Sequence, residues 1–362
     1  MKRVLNVCDR EKPIYDIVYE NSFQNLNEYL KPFGMEKRKI CIVSDSNVAS
    51  YYLEEVTKEL EKIANVVTSY VFPAGESSKT IDTVQLVYEH LILQHFDRND
   101  MLVALGGGVV GDLTGFTAAT YLRGIRFIQI PTSLLAMVDS SVGGKTGVDF
   151  MCYKNMVGAF HQPALVYMNI HALRTLTEEH YYNGFAEIVK YGMIQDSEFL
   201  SWLEDNMGGI LEHEEAVLEQ IVYQSCLFKR DIVQRDATEK GERALLNYGH
   251  TIGHSIEKNS NFTLLHGQCV ALGMVAALYM GVKRGNVLQE ELNAFETLLE
   301  LLKLPIRIKN LDMDEIVKGT KNDKKMEAGN INFVLLERIG KGYIDNTVTD
   351  DEMRESIAYL MR

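Results

Sequence analysis

The chain has 362 residues, of which 46% are hydrophobic and 24% are charged, and its formal net charge is −13. This length exceeds what one hydrophobic core usually organises, so we expect two packed domains rather than a disordered or fibrous chain. The acidic balance argues against nucleic acid or an anionic membrane as a partner, because binding either of them requires a basic face.

The cysteines and the apolar segments indicate where the protein works. The five cysteines are odd in number, widely spaced and outside any CxxC pair, as expected of reduced thiols: Cys8, Cys41, Cys152, Cys226 and Cys269. The N-terminal segment turns polar before a signal core can form, and no run of about 18 apolar residues follows. We therefore expect a cytoplasmic protein.

Short β-branched segments alternate with amphipathic segments through the first half of the chain. The strand-like runs are KICIVSD (39–45), NVVTSYVF (65–72), DMLVALGGG (100–108), RFIQIPTS (126–133) and ALVYMNI (164–170). Such alternation predicts a parallel sheet with crossover helices. From Glu178 onward helical periodicity dominates, until the strand-like INFVLLERIG (331–340). The sequence therefore predicts an α/β domain over residues 1–170 and a mostly α-helical domain over residues 171–362.

A glycine cluster follows the third of these strand-like runs and opens a helix of small residues. Glycine occupies positions 106–108 and 111 in LVALGGGVVGDLTGF. Without Cβ atoms this backbone can approach a pyrophosphate, and a helix N-terminus offers unpaired N–H groups to it. The pattern differs from GxGxxG, so a tight turn is an alternative. SDSN (44–47) and PAGESSKT (73–80) also follow parallel strands, at the strand ends where nucleotides bind. Taken alone, each of these segments fits an ordinary turn or a helix cap better than a nucleotide site.

Ligand-type side chains recur at helical spacing in the second half of the chain. His250 and His254 are four residues apart in NYGHTIGHSIE, and Glu187 and Lys190 are three apart in GFAEIVKYG. His266 stands just ahead of another predicted helix. Two histidines and a glutamate with an open position form a catalytic zinc set, whereas structural sites are usually closed by cysteines. The alternative is that these histidines are ordinary core or surface residues. If two of them bind a metal, the third can serve as an acid or base.

Basic side chains stand in glycine-rich or motif-like surroundings in both halves of the chain. They are Lys145, Lys154 beside Asn155, Lys190, Lys229, Arg243, Lys324 and Lys325. Lysine and arginine recognise carboxylate and phosphate groups through charge-assisted hydrogen bonds. Taken one at a time, each of these residues fits a solvated surface charge better than a binding site.

Seven motifs follow one another between about residue 40 and residue 340. They are GGGVVGDLTGFTAATYLRGI, QIPTSLLAMVDSSVGGKTGV, KNMVGAF, GFAEIVKYG, LNYGHTIGHSIE, LHGQCVALGM and DKKMEAGNINFVLL. In this order they resemble the 3-dehydroquinate synthase family. The resemblance implies a Rossmann-like N-terminal domain, a mostly α-helical C-terminal domain, bound NAD, zinc or cobalt, and a homodimer. It also implies conversion of 3-deoxy-arabino-heptulosonate 7-phosphate to 3-dehydroquinate and phosphate, by transient oxidation with NAD, β-elimination, reduction and intramolecular aldol closure.

The matching motifs imply roles for individual residues. Glu187, His250 and His266 match the family's metal ligands, which leaves His254 for proton relay. The positions that match NAD contacts are Asp45, Asn47, Glu76, Lys79, Gly107, Gly108, Val109, Asp112, Thr132, Ser133 and Lys154. The positions that match substrate contacts or catalytic groups are Asp139, Lys145, Asn155, Lys190, Lys229, Arg243, Asn247 and one or both of Lys324 and Lys325. Arg123, in YLRGI, matches a residue that reaches across the family's dimer interface.

Three other functions compete with this interpretation. Other sugar phosphate cyclases make valiolone-type or deoxy-inosose products with the same apparatus, but GGKTGV (143–148) and Asn247 resemble the dehydroquinate branch more closely. A polyol dehydrogenase would release net NADH, and Glu187 would not be expected among its ligands. A degenerate NAD-binding module would have lost ligand residues, whereas all three candidates are present here.

Overall fold

The computed structural model describes residues 3–9, 12–151, 153–260, 263–321, 326–327 and 330–362. The chain divides into two compact units, the first containing residues 1–177 and 229–237 and the second containing residues 178–228 and 238–362. The functional domains expected from the sequence, 1–170 and 171–362, stay a prediction. Within the described ranges, no helix has both the length and the apolar character needed to span a membrane.

The described part of the first unit contains nine strands, four whole α-helices and the C-terminal part of a fifth. In chain order the strands and the whole helices are β1 (Arg3–Asp9), β2 (Lys12–Glu20), α1 (Leu26–Leu30), β3 (Lys39–Asp45), α2 (Ser46–Glu61), β4 (Val66–Phe72), α3 (Ile81–Leu93), β5 (Met101–Gly106), α4 (Gly108–Thr120), β6 (Arg126–Pro131), β7 (Lys145–Phe150), β8 (Tyr153–Phe160) and β9 (Leu165–Asn169). One sheet has the strand order β1-β2-β9-β6-β5-β3-β4, and β7 pairs with β8 as a separate antiparallel hairpin. From β2 to β4 the neighbouring strands are parallel, so β3, β4, β5 and β6 end at the same edge of the sheet.

Burial on both faces explains the apolar runs of the central strands. Strand β5 is buried along its whole length, and β3 is buried except at its two ends. Residues of α1 and α2 pack against one face of the sheet, and residues of α3 and α4 pack against the other. Parallel strands covered on both sides are continuously hydrophobic instead of alternating. The predicted α/β fold of the N-terminal half is thereby confirmed.

The remaining elements are mostly helical, as predicted. They are α5 (Glu178–Gln195), α6 (Ser197–Asp205), α7 (Met207–Leu211), α8 (Glu215–Arg235), α9 (His250–Asn259), α10 (His266–Lys283), α11 (Gln289–Leu301), α12 (Met313–Thr320), β10 (Met326–Glu327), β11 (Asn330–Ile331), β12 (Phe333–Arg338), β13 (Lys341–Asp345) and α13 (Asp350–Leu360). The part of α8 from Lys229 onward belongs to the first unit. Helix α10 is buried along most of its length and contacts α5, α9, α11 and α13, which makes it the central helix of the second unit.

An ion-pair cluster links the C-terminal end of α10 to β13 and α13. The Arg284 guanidinium lies 2.9 Å from Asp345 Oδ2 and donates to both carboxylate oxygens of Glu352, at 2.6 and 3.0 Å. The hydrogen bonds from Arg284 outweigh the opposing effect of burial and, with those from Thr349, lower the pKa of Glu352 to about 2. The cluster therefore joins β13 and α13 to the central helix.

We expect Arg284→Met to lower the free energy of unfolding by about 1–2 kcal/mol near neutral pH, because the charge-assisted bonds are partly screened by solvent. The pKa of Glu352 lies below its ordinary value of 4.5, so its contribution is complete above that pH and disappears as the pH falls toward about 2. The difference in free energy of unfolding between wild type and variant should shrink as the pH falls from 4.5 toward about 2. Urea titrations followed by fluorescence of Trp202, the one tryptophan of the chain, measure it. A difference independent of pH down to about 3 would contradict this interpretation.

Candidate active site

Residues that match NAD contacts collect at one edge of the sheet in the first unit. Apart from Lys154, which lies in β8, they lie at or just after the ends of β3, β4, β5 and β6, in segments 45–47, 76–79, 107–112 and 132–133. Gly107 is the N-cap of α4. A Cβ on Gly107 would lie 3.3 Å from Ser133 Oγ, and one on Gly108 would lie 3.3 Å from Ser140 Oγ. The glycines therefore let these side chains approach the start of α4, where backbone N–H groups favour an anion.

Lys79 is the centre of a buried polar network in this unit. Lys79 is 4% exposed, and its Nζ donates to Asp112 Oδ2 and to Asn155 Oδ1, both at 2.6 Å. Burial by itself lowers the pKa of Lys79, but the carboxylates of Asp112 and Glu76 outweigh it and raise that pKa, so the ammonium group stays charged. The network joins two residues that match NAD contacts to Asn155, which matches a substrate contact.

Two other ion pairs in the first unit join predicted site residues. Lys154 Nζ lies 3.2 Å from Glu76 Oε1. Lys229 Nζ donates to the Asp139 side chain and to its backbone carbonyl, both at 2.7 Å. The first pair joins two residues that match NAD contacts, and the second joins two that match substrate contacts.

Three predicted residues of the first unit stand apart from these pairs. Asp45 caps α2 by accepting from the N–H groups of Asn47 and Val48, and its NAD contact stays a prediction. Lys145 begins β7 and is exposed. Arg123 is also exposed and has a φ of +68°, in a turn that follows α4. The positions of Lys145 and Arg123 do not by themselves assign a role to either residue.

Three ligand-type side chains converge in the second unit. Oε1 of the fully buried Glu187 lies 3.4 Å from His250 Nε2 and 3.4 Å from His266 Nε2. Donors bound to a tetrahedral zinc ion at about 2.0–2.1 Å stand about 3.3–3.4 Å apart, so these separations fit one shared ion. Two imidazoles and a carboxylate leave a fourth position open, which is typical of catalytic sites. This donor set therefore fits zinc or cobalt.

Close backbone approach brings the three helices of this cluster together. A Cβ on Gly273 of α10 would lie 1.8 Å from the Gly249 carbonyl oxygen, directly before α9. A Cβ on Gly267 would lie 2.0 Å from the Asn183 carbonyl oxygen of α5. Only glycine permits either approach. As a result, the first residues of α9 and α10, His250 and His266, face the middle of α5.

Each member of the cluster has a further polar neighbour. His250 Nδ1 lies 3.0 Å from the Tyr248 carbonyl oxygen, a geometry in which Nδ1–H donates and the Nε2 lone pair faces Glu187. The buried ammonium group of Lys190 pairs with the second oxygen of Glu187. Burial lowers the pKa of His266, but the neighbouring carboxylates of Glu187 and Glu257 outweigh it and raise the pKa to about 9. A metal ion at His266 must therefore replace a proton.

The geometry allows more than one donor set. His254 has its ring centroid 5.2 Å from that of His250 and 5.8 Å from that of His266. Donor atoms also converge in a second group, His254, Glu257 and His266. The assignment of Glu187, His250 and His266 as the ligands, with His254 as a relay, stays a prediction. Glu257 was missed by the sequence analysis, although its position seven residues after His250 puts both on one helix face.

Two of the other predicted residues of the second half precede α9 in the chain, and two lie outside the described ranges. Arg243 and Asn247 belong to the short helical turn before α9. Arg243 is buried, and Asn247 Nδ2 donates to Glu239 Oε1 at 3.0 Å. Lys324 and Lys325 lie outside the described residues.

Comparison with known protein families agrees with the resemblance found in the sequence motifs. Two models, described as 3-dehydroquinate synthase N-terminal and 3-dehydroquinate synthase C-terminal, match residues 69–183 and 184–326. The 3-dehydroquinate synthase of Acetivibrio thermocellus is 43% identical over 354 residues, which cover 98% of this chain and 97% of the relative.

Solved structures of two sugar phosphate cyclases have a similar fold. A 2-deoxy-scyllo-inosose synthase complexed with carbaglucose-6-phosphate, NAD+ and Co2+ superposes with a TM-score of 0.90, 25% identity and coverage of 99% of this chain and 100% of that one. A 2-epi-5-epi-valiolone synthase from Streptomyces hygroscopicus subsp. jinggangensis, with NAD+ and Zn2+ bound, has a TM-score of 0.89, 27% identity and coverage of 98% and 99%.

Proposed function

Since the chain belongs to the 3-dehydroquinate synthase family, we propose that it converts 3-deoxy-arabino-heptulosonate 7-phosphate to 3-dehydroquinate and phosphate, with NAD and zinc or cobalt. The observation that carries the proposal is the convergence of Glu187, His250 and His266 in a chain that matches this family over nearly its whole length. The cofactors bound by the two similar cyclases support the same choice of NAD and metal.

The second unit supplies the proposed metal site. When bound, the ion would acidify a substrate hydroxyl, and NAD would take up and return a hydride. Glu187, His250 and His266 would hold the ion, and Lys190 would balance the charge of the Glu187 oxygen that it contacts. His254 stands beside both ligand histidines, which suits it to move a proton.

The first unit supplies the proposed NAD site. Backbone N–H groups at the start of α4 would receive the pyrophosphate, at the edge where β3, β4, β5 and β6 end. Thr132 and Ser133 follow β6 at that edge, and Asp112 of α4 pairs with Lys79. We therefore propose residues 1–170 as the NAD-binding domain and residues 171–362 as the metal- and substrate-binding domain.

Cationic side chains are proposed to hold the anionic groups of the substrate. The residues proposed for this task are Lys145, Lys190, Lys229 and Arg243, with the polar side chains of Asp139, Asn155 and Asn247. Asp139 fixes the position of the Lys229 ammonium group through the two bonds described above. Positioned cations of this kind stabilise negative charge as it develops during phosphate loss. We also propose a homodimer in which Arg123 completes the site of the partner subunit.

A second candidate is another cyclase reaction, favoured by the close fold similarity to the inosose and valiolone enzymes. All these enzymes would need NAD and a divalent ion, so cofactor binding does not separate them. The separating features are GGKTGV (143–148), Asn247 and the higher identity to a dehydroquinate synthase. The choice of substrate is therefore the decisive observation.

We expect phosphate to be released from the heptulosonate phosphate without accumulation of NADH, because the hydride returns to the same carbon skeleton before product leaves. The test combines purified protein, NAD, zinc and substrate in a coupled phosphate assay, with the reduced-nicotinamide absorbance recorded in parallel. Glucose 6-phosphate and a heptulose 7-phosphate without the carboxylate serve as comparison substrates. Stoichiometric NADH would indicate an ordinary dehydrogenase, and turnover of only a comparison substrate would indicate another cyclase.

A further inference from the structure

A buried carboxylate that none of the proposed roles uses lies behind the metal cluster. Glu257, on α9, is 2% exposed, and its Oε2 lies 3.8 Å from Nδ1 of His266. The same imidazole presents its other nitrogen, Nε2, to Glu187 at 3.4 Å. Removing a carboxylate from water is costly unless it acquires polar partners, and the His266 imidazole is one such partner.

The two proposed histidine ligands have matching surroundings. In each ring Nε2 faces Glu187, and in each ring Nδ1 faces an oxygen atom. That oxygen is the Tyr248 carbonyl for His250 and the Glu257 carboxylate for His266. A histidine that binds a metal through one nitrogen usually donates its other N–H to a carbonyl or carboxylate, which fixes the tautomer and the ring orientation.

We propose that Glu257 is a positioning residue that accepts a hydrogen bond from Nδ1–H of His266 and so directs Nε2 toward the bound cation. The inference rests on the metal site of the proposed function. The distance of 3.8 Å is about 1 Å longer than a charge-assisted hydrogen bond, so the proposed bond requires the pair to close by that amount. The negative charge of Glu257 makes His266 a stronger donor to the metal.

The competing interpretation is a second cation held by His254, Glu257 and His266, whose donor atoms also converge. A neutral imidazole has one lone pair in the ring plane, so His266 serves one ion at a time unless both nitrogens are deprotonated. A positioning role therefore predicts one ion per chain. The second-cation interpretation predicts two ions per chain.

The test is titration of the purified protein with Co2+ alone, in competition with a chromophoric chelator, without NAD or substrate. Glu257→Gln keeps an acceptor oxygen and loses the charge, and we expect about 10-fold weaker Co2+ binding. Glu257→Leu loses both, and we expect about 100-fold weaker binding, with an altered visible absorption of the bound Co2+. Ser255→Ala is the matched control, because this buried hydroxyl of the same helix donates to the Ile316 carbonyl, away from the cluster.

The outcomes separate the inference from its premise. Wild-type protein that bound no Co2+ would overturn the metal site and with it the inference. Binding of one Co2+ by wild type, and the same affinity and spectrum in both Glu257 variants, would overturn the positioning role and leave the metal site intact. Two Co2+ per wild-type chain would favour the second cation. Circular dichroism checks that each variant folds. If Glu257→Leu does not fold, the Co2+ affinity of Glu257→Gln alone decides the test.

Discussion

His266→Ala is expected to lower the affinity for zinc by more than about 100-fold and to abolish turnover. Loss of a residue that only supports a ligand typically costs about 10–100-fold in metal affinity, so loss of a donor itself should cost more. The two remaining donors, Glu187 and His250, do not form a catalytic zinc site of three protein ligands. Elemental analysis after mild chelation, together with the phosphate-release assay, measures both effects.

Two histidine variants act as controls for this prediction. His180→Ala changes an exposed residue of α5, the helix that carries Glu187, and should leave metal content and turnover unchanged. His254→Ala should keep one equivalent of metal and lose turnover, because His254 is proposed to move a proton. Metal retained by the His266 variant and lost by the His254 variant would reverse the assignment of ligand and relay.

Lys79→Met is expected to lower the free energy of unfolding by about 3–5 kcal/mol. The variant leaves the Asp112 carboxylate in a mostly buried position without its cation, and breaking one partner of a buried pair costs about this much. It also removes the donor that Asn155 accepts from. Urea denaturation followed by far-ultraviolet circular dichroism measures the change, and loss of NAD affinity should accompany it.

Two further variants decide whether burial of the charge is the cause. Lys79→Met combined with Asp112→Asn should recover part of the lost stability, because it removes the unpaired charge. Lys62→Met breaks an ion pair of similar length, 2.6 Å to Glu59, but the Lys62 side chain is 54% exposed. Its expected effect is at most about 1 kcal/mol. Equal effects of the Lys62 and Lys79 single variants would contradict the explanation.

The central strands could be predicted because their sequences carry the signal of burial on both sides. KICIVSD corresponds to β3 residue for residue, and the following strand-like runs coincide with β4, β5, β6 and β9 within a few residues. The β7–β8 hairpin was not predicted, since its strands hold glycines and polar residues, and every residue of β8 is exposed or half-buried. The β1–β2 hairpin was missed because its seven- and nine-residue strands precede the repeating strand and helix pattern.

For the candidate site, the sequence by itself determined which side chains are available and how they are spaced within one helix. Helical periodicity relates residues three, four or seven positions apart, so it puts His250 and His254 on one face. It cannot choose between His254 and His266 as ligands, because that choice depends on a helix that is separate in the chain.

Only the tertiary structure brought Glu187 between His250 and His266. The physical reason is the close packing of α5, α9 and α10, which requires glycine at positions 267 and 273, where a Cβ would meet a carbonyl oxygen at about 2 Å. The same packing buries Glu257 behind His266. Contacts between separate helices depend on the packing of the whole unit, and local periodicity carries no information about them.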